Sequence, residues 1–299
     1  MTRKAQLMAG NGRYPTPRRH IDLDRPNIFR VYDYYLGGTT NWAIDRFFGD
    51  QVLRKSPLMS DIARTNQVFL NRVIRYLVES GVQQFVDVGS GVLTRDNTHQ
   101  VADALAFDAG REPDVRVVYT APDPITVAHA EVLLDRDGDP RRHAVVEADL
   151  LEPAQLWAQV EDVEILDLNQ PVALLLITAL QVQQRRDLDG LDLMDSVVQL
   201  RERLPAGSYI ALSHLTEDAA PADICERLAE VKRMYSTWTD SSLVWRSHED
   251  IARVLAGLEL VKPGWTSNWH VDESFSTRSD VAPALPSPTV VWAGLGHKP

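Results

Sequence analysis

The sequence predicts an α/β fold: a seven-stranded, mostly parallel, doubly wound (Rossmann-like) sheet with helices on both faces and a helical N-terminal cap. Three observations carry this prediction. Gln84-Phe85-Val86-Asp87-Val88 is a short, mostly apolar run that passes through Gly89-Ser90-Gly91 into a helix-compatible segment at 97–106. That is the strand, tight turn and helix that open a nucleotide-binding α/β unit, the glycines permitting positive φ and close approach of a ligand to the backbone. Short β-rich runs alternate with helical segments along the rest of the chain, the pattern of a parallel sheet with crossover helices. Residues 172–178 read Val-Ala-Leu-Leu-Leu-Ile-Thr, the continuous apolar run of a central strand buried on both faces. A Gly-x-Gly turn alone is also an ordinary βα connection, so it speaks for architecture before it speaks for a ligand.

Residues 1–24 read as a flexible tail, 25–80 as the cap and 81–299 as the α/β domain. The first cap helix starts at Pro26, whose missing N–H is harmless in a first turn. It carries Ile28, Val31 and Tyr35 near one face and stops at Gly37-Gly38. A second helix is expected at 44–53. Pro57 breaks the pattern, and 61–79 is the strongest helix, with Leu70, Val73, Ile74 and Leu77 at i, i+3, i+4 and i+7. Beyond the glycine turn, strands are expected at 115–120, 144–147, 172–178 and 208–213, with helices at 126–134, 153–160 and 191–204. A long amphipathic helix at 222–235 follows, then a helix capped by Ser247. Strands at 258–261 and 289–295 close the sheet as an antiparallel pair around an irregular Trp-, Ser- and Pro-rich stretch at 264–288. Ligands of such sheets lie beyond the carboxyl ends of the strands. The site candidates therefore follow each strand: 89–91, 121–124, 149–150, 178–183 and His214.

A chain of 299 residues with 44% hydrophobic content can build a full core. The net charge of −11 argues against a nucleic-acid partner, and Arg18-Arg19 and Arg141-Arg142 are too small to reverse it. A single cysteine, Cys225, excludes an internal disulfide framework and a Cys-rich metal site. The histidines show no metal-ligand spacing. No apolar run approaches the ~18 residues of a membrane span, and the basic N-terminus lacks the apolar core of a secretory signal. The expectation is a cytoplasmic protein with a small-molecule substrate and no metal, nucleic-acid or membrane partner; a homodimer or a biosynthetic protein partner stays open.

Several motifs go further. Tyr32-Asp33-Tyr34-Tyr35-Leu36-Gly37-Gly38, Asp61-Ile62-Ala63-Arg64-Thr65-Asn66, Asp87-Val88-Gly89-Ser90-Gly91 with 94–99, Leu212-Ser213-His214 and the terminal 294–299 occur in that order. Together they resemble the actinobacterial S-adenosylmethionine-dependent methyltransferases once catalogued as a domain of unknown function, over residues 25–299. The resemblance implies the class I methyltransferase fold and S-adenosylmethionine as cofactor. It also exposes departures. The acid expected at the end of the second strand, which takes the cofactor's ribose hydroxyls, is Ala121 here. Gln181 stands where a histidine is expected, and Gln67 where an arginine is. One lost charged acceptor corresponds to ~1.5–3 kcal/mol, a roughly tenfold to hundredfold weakening of cofactor binding. Asp123 is the candidate substitute.

Methyl transfer from a sulfonium requires an aligned acceptor and sometimes a base. Gly89, Ser90 and Gly91 are the candidates for the cofactor's amino-acid end. By the resemblance Asp149 binds its adenine amino group; otherwise it is a helix cap. Arg64 grips a carboxylate or forms a surface ion pair. Tyr32, Tyr35, Asn41 and Trp42 line the substrate side or simply pack. Asp33, Asp45 and His214 are the candidate bases, each set against a plain reading as a solvated carboxylate or a core histidine. The leading function is methylation of a small molecule in secondary metabolism, such as antibiotic biosynthesis. The alternatives are a cavity repurposed for cyclisation, elimination or rearrangement by a cap carboxylate, and a non-catalytic partner of another biosynthetic enzyme.

Overall fold

A computed structural model describes residues 24–93, 96–184, 193–265 and 290–299. The expectations for the N-terminal tail, for Thr94-Arg95 and for nearly all of 264–288 lie outside those residues. The helices are α1 (Ile28–Tyr35), α2 (Ala43–Lys55), α3 (Leu58–Glu79), α4 (Thr98–Asp108), α5 (Pro124–Asp137), α6 (Pro153–Asp162), α7 (Leu193–Arg203), α8 (Ala222–Trp238) and α9 (His248–Val254). The strands are β1 (Gln84–Val88), β2 (Arg116–Ala121), β3 (His143–Glu147), β4 (Ala173–Ile177), β5 (Val182–Gln184), β6 (Tyr209–Leu215), β7 (Ser241–Leu243), β8 (Glu259–Leu260) and β9 (Val291–His297).

Seven strands form one sheet in the order β3-β2-β1-β4-β6-β9-β8. The first five are parallel, and β9 runs antiparallel to both β6 and β8. The register is continuous across the centre, Asp87 of β1 facing both Tyr119 of β2 and Leu175 of β4. Leu174 and Leu176 of β4 join Val86, Val118, Leu156 and Val197 on one face; Ala173 and Leu175 join Phe85, Val117, Ile74 and Leu77 on the other. All of these are essentially inaccessible, each large side chain contributing about 1.5–3 kcal/mol. This is why β4 reads as unbroken apolar sequence rather than an alternation.

Two local signals read differently in the structure. Asn27, not Pro26, caps α1, its Oδ1 accepting from Phe29 N at 2.9 Å and Arg30 N at 3.3 Å. A small antiparallel sheet of β5 and β7, absent from the sequence expectations, follows the 3-10 turn Ala179–Gln181. Each of its strands is three residues long, too short for a two-residue period to register.

The cap and the sheet share α3. Its first half places Met59, Ile62 and Ala63 with Val31, Tyr35 and Phe48 of α1 and α2; its second half places Phe69, Val73 and Leu77 on the sheet. Helix α8 completes the cap: Phe48 meets Tyr235 edge-on with ring centroids 5.0 Å apart, and the Tyr35 and Tyr235 hydroxyls hydrogen-bond at 3.0 Å. Among the described residues no helix is long and apolar enough to cross a membrane.

Candidate functional site

A cavity opens over the carboxyl ends of β1, β2 and β4, where the strand order reverses between β1 and β4. Its floor includes Asp87, Thr120, Ile177 and the glycine turn; α1 and the first half of α3 roof it, helped by Tyr235 of α8 and Leu243 of β7. Gly89 and Gly91 have φ of +67° and +66°, which a side chain would strain. A Cβ on Gly91 would also sit 3.4 Å from Phe29 of α1. Thr178, beyond β4, is a β-branched residue held at φ 59° on the cavity wall. Such a conformation costs roughly 1–2 kcal/mol and persists where surrounding structure fixes it.

Among the described residues, three of the four carboxylates that line the site have distinct environments. Asp149, past the end of β3, lines the far end of the cavity, and its Oδ1 accepts from Leu151 N at 3.1 Å. Asp87 is buried beneath the turn, accepts from Thr98 Oγ1 at 2.7 Å, and is pushed by burial up to about 6. Asp33 faces the cavity from α1. Burial raises its pKa above the usual carboxylate range, against the opposing pull of its hydrogen bond from Asn41. Asn41 Nδ2 donates to Asp33 Oδ2 at 2.6 Å and to Gly38 O at 2.8 Å, while Arg46 donates to Asn41 O and Oδ1 at 2.8 and 3.1 Å. A Cβ on Gly38 would overlap Asp33 Oδ1, so the glycine that follows the end of α1 also leaves the room this carboxylate occupies.

The structure thus brings Gly89, Ser90, Gly91, Asp149, Asp33, Tyr32 and Tyr35 into one cavity. It places the other sequence candidates elsewhere, for identifiable reasons. Asp123 caps α5, its Oδ2 accepting from Thr126 N at 3.0 Å and Thr126 Oγ1 at 2.6 Å, so it does not replace the acid missing at Ala121. Arg64 is exposed and pairs with Asp61 at 3.1 Å. Asp45 is fully buried and committed to Arg30 and two backbone amides, which removes it as a base. His214 is a core histidine: Nδ1 donates to Leu215 O at 2.6 Å, Nε2 accepts from Arg246 at 3.0 Å, and burial lowers its pKa to about 4. Asn41 lies one layer behind Asp33 and positions it. Trp42 stacks under the Arg30 guanidinium, 3.8 Å from its ring centroid, instead of lining the cavity.

Three further cavity residues stand out because they bury side-chain polar atoms without a hydrogen bond of good geometry: Asn66 at both amide atoms, Thr120 at Oγ1 and Gln181 at Oε1. Asn66 had a signal in the sequence. It falls on the apolar stripe of α3 four residues after Ile62 and seven before Val73, where a polar residue needs a reason. Gln181 is marked by the resemblance, since it stands where a histidine is expected, whereas Thr120 carries no signal beyond its place at the end of β2 beside Ala121.

The site suits the cofactor implied by the resemblance. Its turn admits a ligand against the backbone, it holds unmet buried hydrogen-bonding atoms, and its lining includes Asp33, Asp87, Asp96 and Asp149 but, among the described residues, no lysine, arginine or histidine. That charge balance favours a sulfonium cation. Thr120 supplies a hydroxyl beside the position where the ribose acid is missing.

Comparisons with known proteins bear on the family and the fold. The family model described as S-adenosyl methyltransferase matches residues 15–299. The structure is similar to a crystal structure of a DUF574 family protein from Streptomyces avermitilis MA-4680, with 32% identity, 94% of this chain and 100% of that chain covered, and a TM-score of 0.76. It is similar also to a candidate methyltransferase from Thermobifida fusca YX, with 29% identity, 95% and 99% covered, and a TM-score of 0.73. No curated protein matches the chain.

Proposed function

The chain belongs to the S-adenosyl methyltransferase family, and we propose that it methylates a small, largely apolar molecule of secondary metabolism, with Asp33 as the base. Its fold is the class I methyltransferase fold and its cofactor is S-adenosylmethionine, which supplies an electrophilic methyl group when bound. The observation that carries the proposal is the placement of Asp33. A buried carboxylate of raised pKa, held by Asn41, shares the cavity with the glycine turn, the geometry of a base waiting for an acceptor proton.

Each part of the cavity has a task. The turn 89–91 receives the cofactor's amino-acid end, and Asp149 offers an acceptor to an amine at the far end of the cavity. Phe29, Tyr35, Met59, Ile62 and Leu243 give the acceptor side apolar walls that exclude water. Burial keeps the Tyr32 hydroxyl protonated, so it serves as a hydrogen-bond donor and not as a base. Asp33 takes the proton released as the acceptor's nucleophile bonds to carbon.

Incubating the protein with methyl-labelled S-adenosylmethionine and a cell extract tests this. Label is expected in the small-molecule fraction. Asp33→Asn is expected to reduce its appearance by about 10²–10⁴-fold, the usual contribution of a general base, with cofactor affinity unchanged. Label confined to protein or nucleic acid, or an undiminished rate in Asp33→Asn, would refute the proposal.

A further inference from the structure

Asn66 presents an unmet hydrogen-bonding requirement. It is 1% exposed and lines the cavity, yet neither its amide oxygen nor its amide nitrogen makes a hydrogen bond of good geometry. The Tyr32 hydroxyl interacts with the Asn66 amide, but outside good hydrogen-bond geometry, and itself donates to Ala63 O at 3.4 Å. Burying an amide this way forfeits its hydration without return, unless a ligand supplies the missing partners. A side-chain amide offers a donor and an acceptor together, so its complement is a ligand end that carries an acceptor and a donor.

We propose that Asn66 binds the amino-acid end of the cofactor, its amide N–H donating to the α-carboxylate and its carbonyl accepting from the α-ammonium. The inference rests on the reading of this cavity as the S-adenosylmethionine site. The direction follows from the cavity's two ends. Asp149 stands past β3, whereas Asn66 lies beside Tyr32, which also meets Thr178 at the end of β4. A ligand with its adenine at Asp149 therefore points its other end toward Asn66. The neighbouring Gln67 Nε2 donates to Asp96 O at 3.0 Å in the loop that continues the glycine turn, which ties this part of α3 to that loop. The end group is a zwitterion, so an uncharged amide matches both of its charges. Among the described residues, no lysine, arginine or histidine lines the cavity to take the carboxylate instead.

The test is a calorimetric titration of the full chain with two ligands: S-adenosylhomocysteine, and 5′-methylthioadenosine, which keeps the nucleoside but lacks the amino-acid end. The variants are Asn66→Ala and Asn66→Leu. Both are expected to weaken S-adenosylhomocysteine about tenfold or more while leaving 5′-methylthioadenosine within about twofold. Asn66→Leu replaces an unpaired amide with an apolar group of similar size, so its thermal midpoint is expected to equal or exceed the parent's. A purely structural asparagine would lower it. Equal weakening of both ligands, or of neither, overturns the assignment of Asn66. Failure of the unaltered protein to bind either ligand overturns the cofactor reading of the cavity, and the inference with it.

Discussion

Asp45→Ala is expected to lower the free energy of unfolding by about 3–5 kcal/mol, the cost of breaking a buried, hydrogen-bonded ion pair by removing one partner. Asp45 is fully buried and the Arg30 side chain nearly so, at 0% and 4% exposure. Arg30 Nε reaches Asp45 Oδ2 at 2.6 Å and an Arg30 terminal nitrogen reaches Oδ1 at 3.2 Å, a forked contact. The same carboxylate accepts from Asn27 N at 2.9 Å and Trp42 N at 2.8 Å, so it fastens the start of α1 to the start of α2. Alanine would leave a guanidinium between the Trp42 ring and Arg25 O, without its counter-charge. Because α1 carries Tyr32 and Asp33, loosening it also disturbs the cavity roof. Urea unfolding measures the effect; a loss below about 1 kcal/mol would mean that the cap does not depend on this pair.

The second large effect is acid sensitivity. Burial holds His99, His143 and His214 at about 4, well below the usual histidine range. Around His99 and His143 the carboxylates of Asp103, Asp137 and Asp139 pull upward while Arg142 pushes downward; around His214 Arg246 pushes downward and the carbonyls of Leu215 and Leu180 pull upward. Between pH 6.5 and 4 the unfolded chain takes up three protons that the native state refuses. Stability therefore rises with pH through that window and is lost as pH falls through it. Asp87 works with the opposite sign: its native value of about 6 lies above the ordinary carboxylate value, so the native state binds one extra proton between about pH 4 and 6. Asp33, raised by burial, opposes the histidines in the same way as Asp87; the three histidines outnumber the two carboxylates, so stability falls from pH 7 to pH 5. Urea midpoints at pH 7, 6 and 5 should fall in that order; a flat or rising series would contradict the burial of neutral histidines.

The fold was largely legible because its signals are local. The apolar run at 172–178, the glycine turn after 84–88 and the stripe on 61–79 each depend on spacing within one element, and the seven-stranded sheet follows from stringing such elements together. The paired strands β5 and β7 escaped because their partners are distant in sequence and each is too short to show a period. The site was legible only in part. Asp33 and Asp45 are the same residue type in the same cap, and nothing local separates them; a neighbour at Arg30 turns one into a structural pin, while Asn41 turns the other toward the cavity. His214 follows a strand, as a site residue would, yet contacts with Leu215 and Arg246 satisfy both ring nitrogens. Asp123 could have been read more sharply: an acid before Pro124 and three residues before Thr126 is a helix cap. Ala121 remains a true departure from the resemblance, and its chain neighbour Thr120 lines the cavity with an unpartnered hydroxyl.

The most direct test of the account is a crystal structure of this protein with S-adenosylhomocysteine. The account predicts the adenine beside Asp149 and Pro122, the ribose near Thr120, the amino-acid end over 89–91 reaching Asn66, and the sulfur facing the side of the cavity that holds Asp33. Ligand bound outside this cavity, or within it in the reverse direction, would contradict the account.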